Sequence, residues 1–217
     1  MDFGLRPMRP QDIAQLMEIE REAFPTTWPP TPFKQELGSK LASYLVVWAK
    51  WDEQAANYVP QSLRAPITLI RRLLAYVRGL FTVPSEVVHE GDEFIAGYVG
   101  LWFMADEAHI TSIAVREAYR RLGLGELLMV GSIELAMARG STCITLEARV
   151  SNFPAHALYE KYEFQKTGVR KAYYSDNRED AVIMTAESIH SPHYRDLFHD
   201  RMGIFHQRYG ETVRILV

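Results

Sequence analysis

Arg120-Arg121-Leu122-Gly123-Leu124-Gly125 joins a β-branched run, Ile113-Ala114-Val115, to a stretch of helical spacing, residues 126–139, which Gly140 closes. A strand that passes into a helix through two glycines limits the folds open to the chain, because the helix must pack against a sheet. The junction also carries chemistry. First-turn N–H groups have no partner within their helix, the helix dipole makes that end positive, and glycine lets an anion approach the backbone. Arg120 and Arg121 add charge that suits a pyrophosphate better than a carboxylate. A bare G-x-G remains a weak signal, since glycines also open helices for packing. Its spacing is neither the dinucleotide fingerprint nor the P-loop.

The flanking segments predict the rest of a sheet. Leu5 and Met8 bracket a short extended segment, Asp12 is placed to cap a helix, and Ile13, Leu16, Met17 and Phe24 form that helix's apolar side before Pro25 stops it. Residues 24–33 hold four prolines in ten positions, a stiff loop carrying Trp28 and Phe33. Such a loop either walls a binding site or lays its aromatic rings over the core. Strands are predicted at 44–48, 94–103 and 109–115, the last two joined by a hairpin connection over 104–108. Residues 142–148 alternate, with Ile144 and Leu146 on one face and Cys143, Thr145 and Glu147 on the other. Ser151-Asn152 starts a helix running to about Tyr162, with Pro154 in its first turn, and two more strands follow near 164–170 and 180–185. This order predicts a mixed α/β sheet.

Composition excludes several functions. Twenty-four Lys and Arg stand against 27 Asp and Glu, a net charge of −3, without the basic excess of a general nucleic-acid binder. Cys143 is the single cysteine, so neither a disulfide scaffold nor a cysteine-built zinc site can form. No run of 18 apolar residues and no signal-peptide core is present, and 47% hydrophobic content argues against disorder. A soluble, cytoplasmic protein is expected. Residues 52–93 form a long connection whose centre, 66–81, has an amphipathic helical pattern with Arg71 and Arg72 and no acid. Its basic face suits a membrane surface, RNA or an acidic partner, although a solvated face on a helix packed against its own domain is the commoner outcome.

With these residues in view, Arg120 to Gly125 resembles the R/Q-x-x-G-x-G/A signature of the GNAT superfamily of acetyl-CoA-dependent N-acetyltransferases. LEARVSNFPAHALYEKYEF (146–164) and KAYYSDNREDAVIM (171–184) resemble the ribosomal-protein-alanine N-acetyltransferase branch and, more broadly, the protein N-terminal acetyltransferases. HITSIAV (109–115) is similar to the same strand of that broader group. The likeness is weak over 3–50 and strong over 94–187; the 52–93 insertion and the 188–217 extension have no recognised counterpart. It implies a mixed, mostly antiparallel central sheet flanked by helices. The expected organisation is a GNAT acetyltransferase domain over 1–187, with the insertion, followed by a C-terminal helical extension over 188–217.

The resemblance also implies roles. Acetyl-CoA is the co-substrate, with no metal. Backbone groups of the Ile113, Ala114, Val115 strand pair with the pantetheine arm; Arg120, Arg121, Leu122, Gly123, Leu124, Gly125 and Glu126 hold the pyrophosphate; Asn152 and Tyr159 also contact the cofactor. Glu147 is the implied base, because an α-amine with a pKa of about 8 must lose a proton before attacking a thioester. Tyr159 is the implied acid for the departing thiolate. Tyr173 and Tyr174, with Phe24 and Trp28 opposite, line the substrate. Each has a plainer alternative: a salt-bridged glutamate, packing tyrosines, a helix cap at Asn152. Glu163 stands where the family usually has glycine, so a left-handed turn there costs about 1 kcal/mol. In the extension, Ser191-Pro192 starts a helix with Tyr194, Leu197, Phe198, Met202 and Phe205 as its apolar side, packing on the domain or a second subunit. His193, His199 and His206 lack a metal-site pattern.

The implied activity is transfer of the acetyl group to the N-terminal α-amine of a protein, with a ribosomal small-subunit protein starting with alanine as the family's best-known case. The rivals are acetylation of a small amine, such as a polyamine or antibiotic, and a non-catalytic acyl-CoA-binding interaction module.

Overall fold

A computed structural model describes residues 3–24, 30–50 and 93–216. Within them lie β1 (Phe3–Pro7), β2 (Ala42–Lys50), β3 (Glu93–Met104), β4 (Glu107–Val115), β5 (Cys143–Arg149), β6 (Gln165–Arg170) and β7 (Ala181–Ala186). They form one seven-stranded sheet in the order β1-β2-β3-β4-β5-β7-β6. All neighbours are antiparallel except β4 and β5. A parallel pair needs a crossover, and helix α3 (Leu124–Ala138) provides it. The mixed, mostly antiparallel sheet expected from the sequence is therefore present.

Alternation along β2 explains why both faces are covered. Leu45 and Val47 enter one core, while Tyr44 and Val46 enter the other. On the second face, helix α1 (Ile13–Ala23) and the single turn α2 (Phe33–Glu36) bring Leu16, Ile19 and Phe33 against Val46, Ile95 and Tyr98. On the first lie α3, α4 (Phe153–Glu160) and α5 (Pro192–Tyr209). Leu127, Leu128, Val130 and Ile133 of α3 are buried, so this helix is enclosed between the sheet and its neighbours rather than amphipathic. Each such side chain contributes about 2 kcal/mol of hydrophobic stabilisation.

Two expectations for α1 are corrected. Met17 and Phe24 are 39% and 38% exposed, and Ile19 and Glu20 point inward instead. Glu20 tolerates burial because the Thr31 backbone N–H and hydroxyl both donate to its carboxylate. Asp12 does not cap α1 through its side chain. It is claimed by Arg6, 2.7 Å away, and by the Arg9 backbone N–H, in a buried pair that Glu93 extends to β3.

Other boundaries follow the sequence closely. Ala105, with φ +52°, makes the tight β3–β4 turn, and Gly140, with φ +78°, turns the chain out of α3. Ile144 and Leu146 are buried, opposite Cys143, Thr145 and Glu147. Helix α4 ends at Glu160, earlier than Tyr162, and the turn after it places Glu163 at φ +57°. Thus the left-handed position is kept without glycine. Ser191 Oγ accepts the Tyr194 N–H at the start of α5, which buries Tyr194, Met202 and Phe205 in the same core as α3, while Leu197 and Phe198 are only partly covered. The predicted helix at 66–81 lies outside the described residues. No described helix is long and apolar enough to cross a membrane.

Candidate active site

The parallel pair opens part-way along. β4 and β5 are in register only from Glu107 with Cys143 to Ile110 with Leu146, yet β4 continues to Val115 and β5 to Arg149. Past Ile110 a bulge opposite Gly100 and Leu101 bends β4, which stays paired with β3 through Val99–Ile113, Tyr98–Ala114 and Gly97–Val115. One backbone edge of Ile113, Ala114 and Val115 consequently pairs with no strand among the described residues. An extended polar chain could complete the ladder there.

The glycine loop lies beyond the end of that edge. Gly123 is the N-cap of α3 at φ +82°, and Arg121 also takes a left-handed conformation, φ +69°. Arg120 and Arg121 are exposed, and Arg120 folds its Nε back to the Val115 carbonyl at 3.3 Å. At Gly125 a Cβ would meet only Leu158, at 3.8 Å, so the loop leaves room for an approaching group. First-turn amides, two glycines and two arginines form a donor set that fits a pyrophosphate. The Glu126 side chain accepts from Lys161 and the Tyr162 hydroxyl, each at 3.2 Å, fastening the end of α4 to the first turn of α3. Asn152 caps α4, its Oδ1 accepting the Ala155 N–H at 3.4 Å.

Glu147 stands near the fork between β4 and β5, on the face opposite Leu146. Its side chain is 8% exposed and both oxygens are engaged: His109 Nε2 lies 2.6 Å from Oε2, and Arg170 Nε 2.8 Å from Oε1. The hydrogen bond from His109 holds the carboxyl below the ordinary glutamate range, against the opposing effect of burial. Since an ionised carboxylate only accepts, His109 donates through Nε2, and the Nδ1 of a neutral ring is left as an acceptor. Neither partner was legible beforehand. Thr145 lies opposite His109 in the parallel register, so Glu147 is a diagonal neighbour on the same face. Arg170 reaches it from β6, across β7. The alternation of 142–148 faces Thr145 and Glu147 one way, but only the strand register reveals which residue of 109–115 meets them.

Two tyrosines lie within electrostatic reach of this carboxylate. Tyr173 and Tyr174 pack edge to face with centroids 5.2 Å apart, and Arg149 lies 3.9 Å over the Tyr174 ring. Arg149 is itself held by Asp176 at 2.8 Å and Glu179 at 3.2 Å. Burial pushes the Tyr174 phenol up to about 12, and burial with the nearby Glu147 charge raises Tyr173. Tyr159, 5% exposed, packs on Phe164, and burial holds its phenol protonated far above neutrality. Tyr173 and Tyr174 thus feel the Glu147 charge, while Tyr159 is coupled to Tyr174. Phe24 sits exposed at the end of α1, and no ring contact or hydrogen bond joins it to that group among the described residues. Trp28 lies outside the described residues. Two of the three tail histidines have other partners, His193 with Glu163 and His206 with Arg214.

Residues 51–164 match the Acetyltransferase (GNAT) family. This chain belongs to the GNAT acetyltransferases. A Bacillus subtilis (strain 168) protein, provisionally named as a [ribosomal protein bS18]-alanine N-acetyltransferase, is 34% identical over 182 residues, 83% of this chain and 93% of that one. An N-alpha-acetyltransferase of Saccharolobus solfataricus is 32% identical over 184 residues, 84% of this chain and 92% of its own. Among solved structures, Arabidopsis thaliana NAA60 in complex with acetyl-CoA superposes with a TM-score of 0.58 at 15% identity, covering 85% of this chain and 98% of that one. At that identity the likeness concerns the fold. In this GNAT acetyltransferase the end of the β4–β5 pairing and the glycine loop lie on one continuous stretch of chain.

Proposed function

We propose that this acetyltransferase acetylates the α-amine at a protein's N-terminus, using acetyl-CoA by direct attack in a ternary complex. A ribosomal small-subunit protein beginning with alanine is the first substrate to test. The observation that carries this reading is an anionic Glu147 held between His109 and Arg170, beside paired tyrosines, at an opening in the sheet. Similarity to the Bacillus and Saccharolobus relatives supports an N-terminal acceptor. A cytoplasmic setting goes with such a substrate.

Acetyl-CoA supplies the activated acetyl thioester. The amides of 121–126 with Arg120 and Arg121 would hold its pyrophosphate, the free edge of Ile113, Ala114 and Val115 its pantetheine, with Asn152 and Tyr159 alongside. A substrate α-amine is largely protonated at neutral pH and has to lose that proton. Glu147 alone is a weak acceptor, because both of its oxygens are occupied and its carboxyl is shifted down. The His109–Glu147 pair serves better: Nδ1 takes the proton, directly or through a water, and the carboxylate stabilises the imidazolium. Tyr159 keeps a proton on its Oη for the departing sulfur, whose thiol pKa is about 8.5. Tyr173 and Tyr174 line the peptide's path, with Phe24 and Trp28 assigned to the opposite wall.

Thiol release from acetyl-CoA, measured against peptides beginning Ala, Ser, Met and acetylated Ala, with spermidine and an aminoglycoside alongside, tests the assignment. Turnover is expected with free-ended peptides alone. Glu147→Gln and Tyr159→Phe should each lower kcat by about a hundredfold while leaving CoA binding intact. Turnover confined to the small amines would instead make this a small-amine acetyltransferase. CoA binding without any acceptor would leave an acyl-CoA-binding module.

A further inference from the structure

The C-terminal helix ends on the glycine loop. A Cβ at Gly123 would lie 2.7 Å from Cζ and 2.8 Å from Cε1 and Cε2 of Tyr209, so the flat face of that ring rests against the backbone of the α3 N-cap. Gly123 is thus required twice, once by its φ of +82° and once by the ring. Gly125 shows no such contact, its nearest neighbour being Leu158 at 3.8 Å.

Leu122 and Leu124, either side of Gly123, pack toward the core. Behind the loop is a cavity of about 260 Å³, lined by Phe3, Tyr119, Leu122, Leu127, Phe205 and Tyr209. The Tyr209 ring and Gly123 both border this cavity, so the ring packs on the loop at the cavity's edge. Tyr209 is held from three directions. Its ring packs on Phe205 with centroids 5.1 Å apart, and the Arg208 guanidinium lies 5.3 Å from its centre. Gly210, at φ +81°, then turns the chain back so that Val213 and Ile215 exchange hydrogen bonds with Leu5 of β1, each 2.8 Å. Arg214 closes the arrangement on Glu134 of α3 at 3.1 Å and on His206 at 3.0 Å.

We propose that Tyr209 is a positioning residue for the cofactor loop: its ring, seated on Gly123, fixes the left-handed N-cap and so aims the 121–126 amides that receive the pyrophosphate of acetyl-CoA. This rests on the reading of that loop as the acetyl-CoA site. The extension over 192–216 then belongs to the cofactor platform, although it touches no reacting atom.

The test uses the full chain, with CoA affinity by calorimetry and amide exchange of 121–126 without ligand. Tyr209→Ala should weaken CoA by about tenfold, because only a fraction of molecules then hold the competent loop, and should speed exchange at those amides. Tyr209→Phe should stay within about twofold of the parent, since the ring and not the hydroxyl makes the contact. Ile204→Ala, on the exposed side of the same helix, should change nothing. The KM for peptide should be unmoved in all three, separating loop positioning from general loosening. If Tyr209→Ala lowers the melting temperature sharply, Tyr209→Leu, which keeps apolar bulk without the flat face, should show the same CoA loss. CoA affinity unchanged in the folded variant would overturn the proposal, as would tighter binding, which would mean that the ring obstructs the loop. A parent protein that binds no CoA removes the loop assignment itself, an outcome distinct from a parent that binds and a variant that binds equally well.

Discussion

Glu147 illustrates how position changes what a side chain can do. A strand glutamate free in solvent would titrate in the usual carboxylate range, whereas hydrogen bonding from His109 holds this one lower. Its contribution to stability is therefore complete above the unfolded glutamate range and is lost as pH falls through the lower folded value. For turnover, kcat/KM with an alanine-ended peptide should climb through the amine's own range near pH 8, with no separate rise in the region of pH 4 to 5. A pH profile checks this, and a profile without a rise near pH 8 would mean that removal of the amine proton is not what limits the attack. The sequence motif pointed to Glu147 and Tyr159, since both stand in quotable segments. His109 and Arg170 escaped because each meets Glu147 from another strand, and strand register is a property of the folded sheet.

Helices and strands were legible where apolar periodicity was strong. Residues 142–148 alternated as read, and glycine at 140 ended α3 as expected. Helix α1 was misread in part, because buried Glu20 looks polar in sequence and exposed Met17 looks apolar; Thr31 donates to one and solvent borders the other. The turn after α4 shows a local rule broken and tolerated. Glu163 takes a left-handed conformation that glycine adopts without strain, and its carboxylate meets exposed His193 at 3.0 Å. Exposed pairs of this kind contribute little, while relief of the backbone is worth about 1 kcal/mol. Glu163→Gly should accordingly raise the melting temperature by a few degrees without altering kcat, as thermal unfolding would record. A fall would mean that the His193 contact outweighs the strain.

At the scale of the molecule, long-range polar contacts tie the sheet's first strand to its centre. Arg6, 2% exposed, joins β1 to Asp12 and to Glu93 at the start of β3. Removing one member of a buried pair strands the remaining charge, so Asp12→Ala should cost about 3 kcal/mol. Denaturant unfolding measures this, and a loss below about 1 kcal/mol would mean that Glu93 alone satisfies Arg6.

The seam between Leu5 and residues 213–215 has a consequence for how the chain is made. Its two sides are separated by roughly two hundred residues, so it can close only after residues 213–215 have left the ribosome. A product stalled or clipped before Val213 leaves the Leu5 backbone groups of β1 without those partners, and an unpaired strand edge invites pairing with another chain.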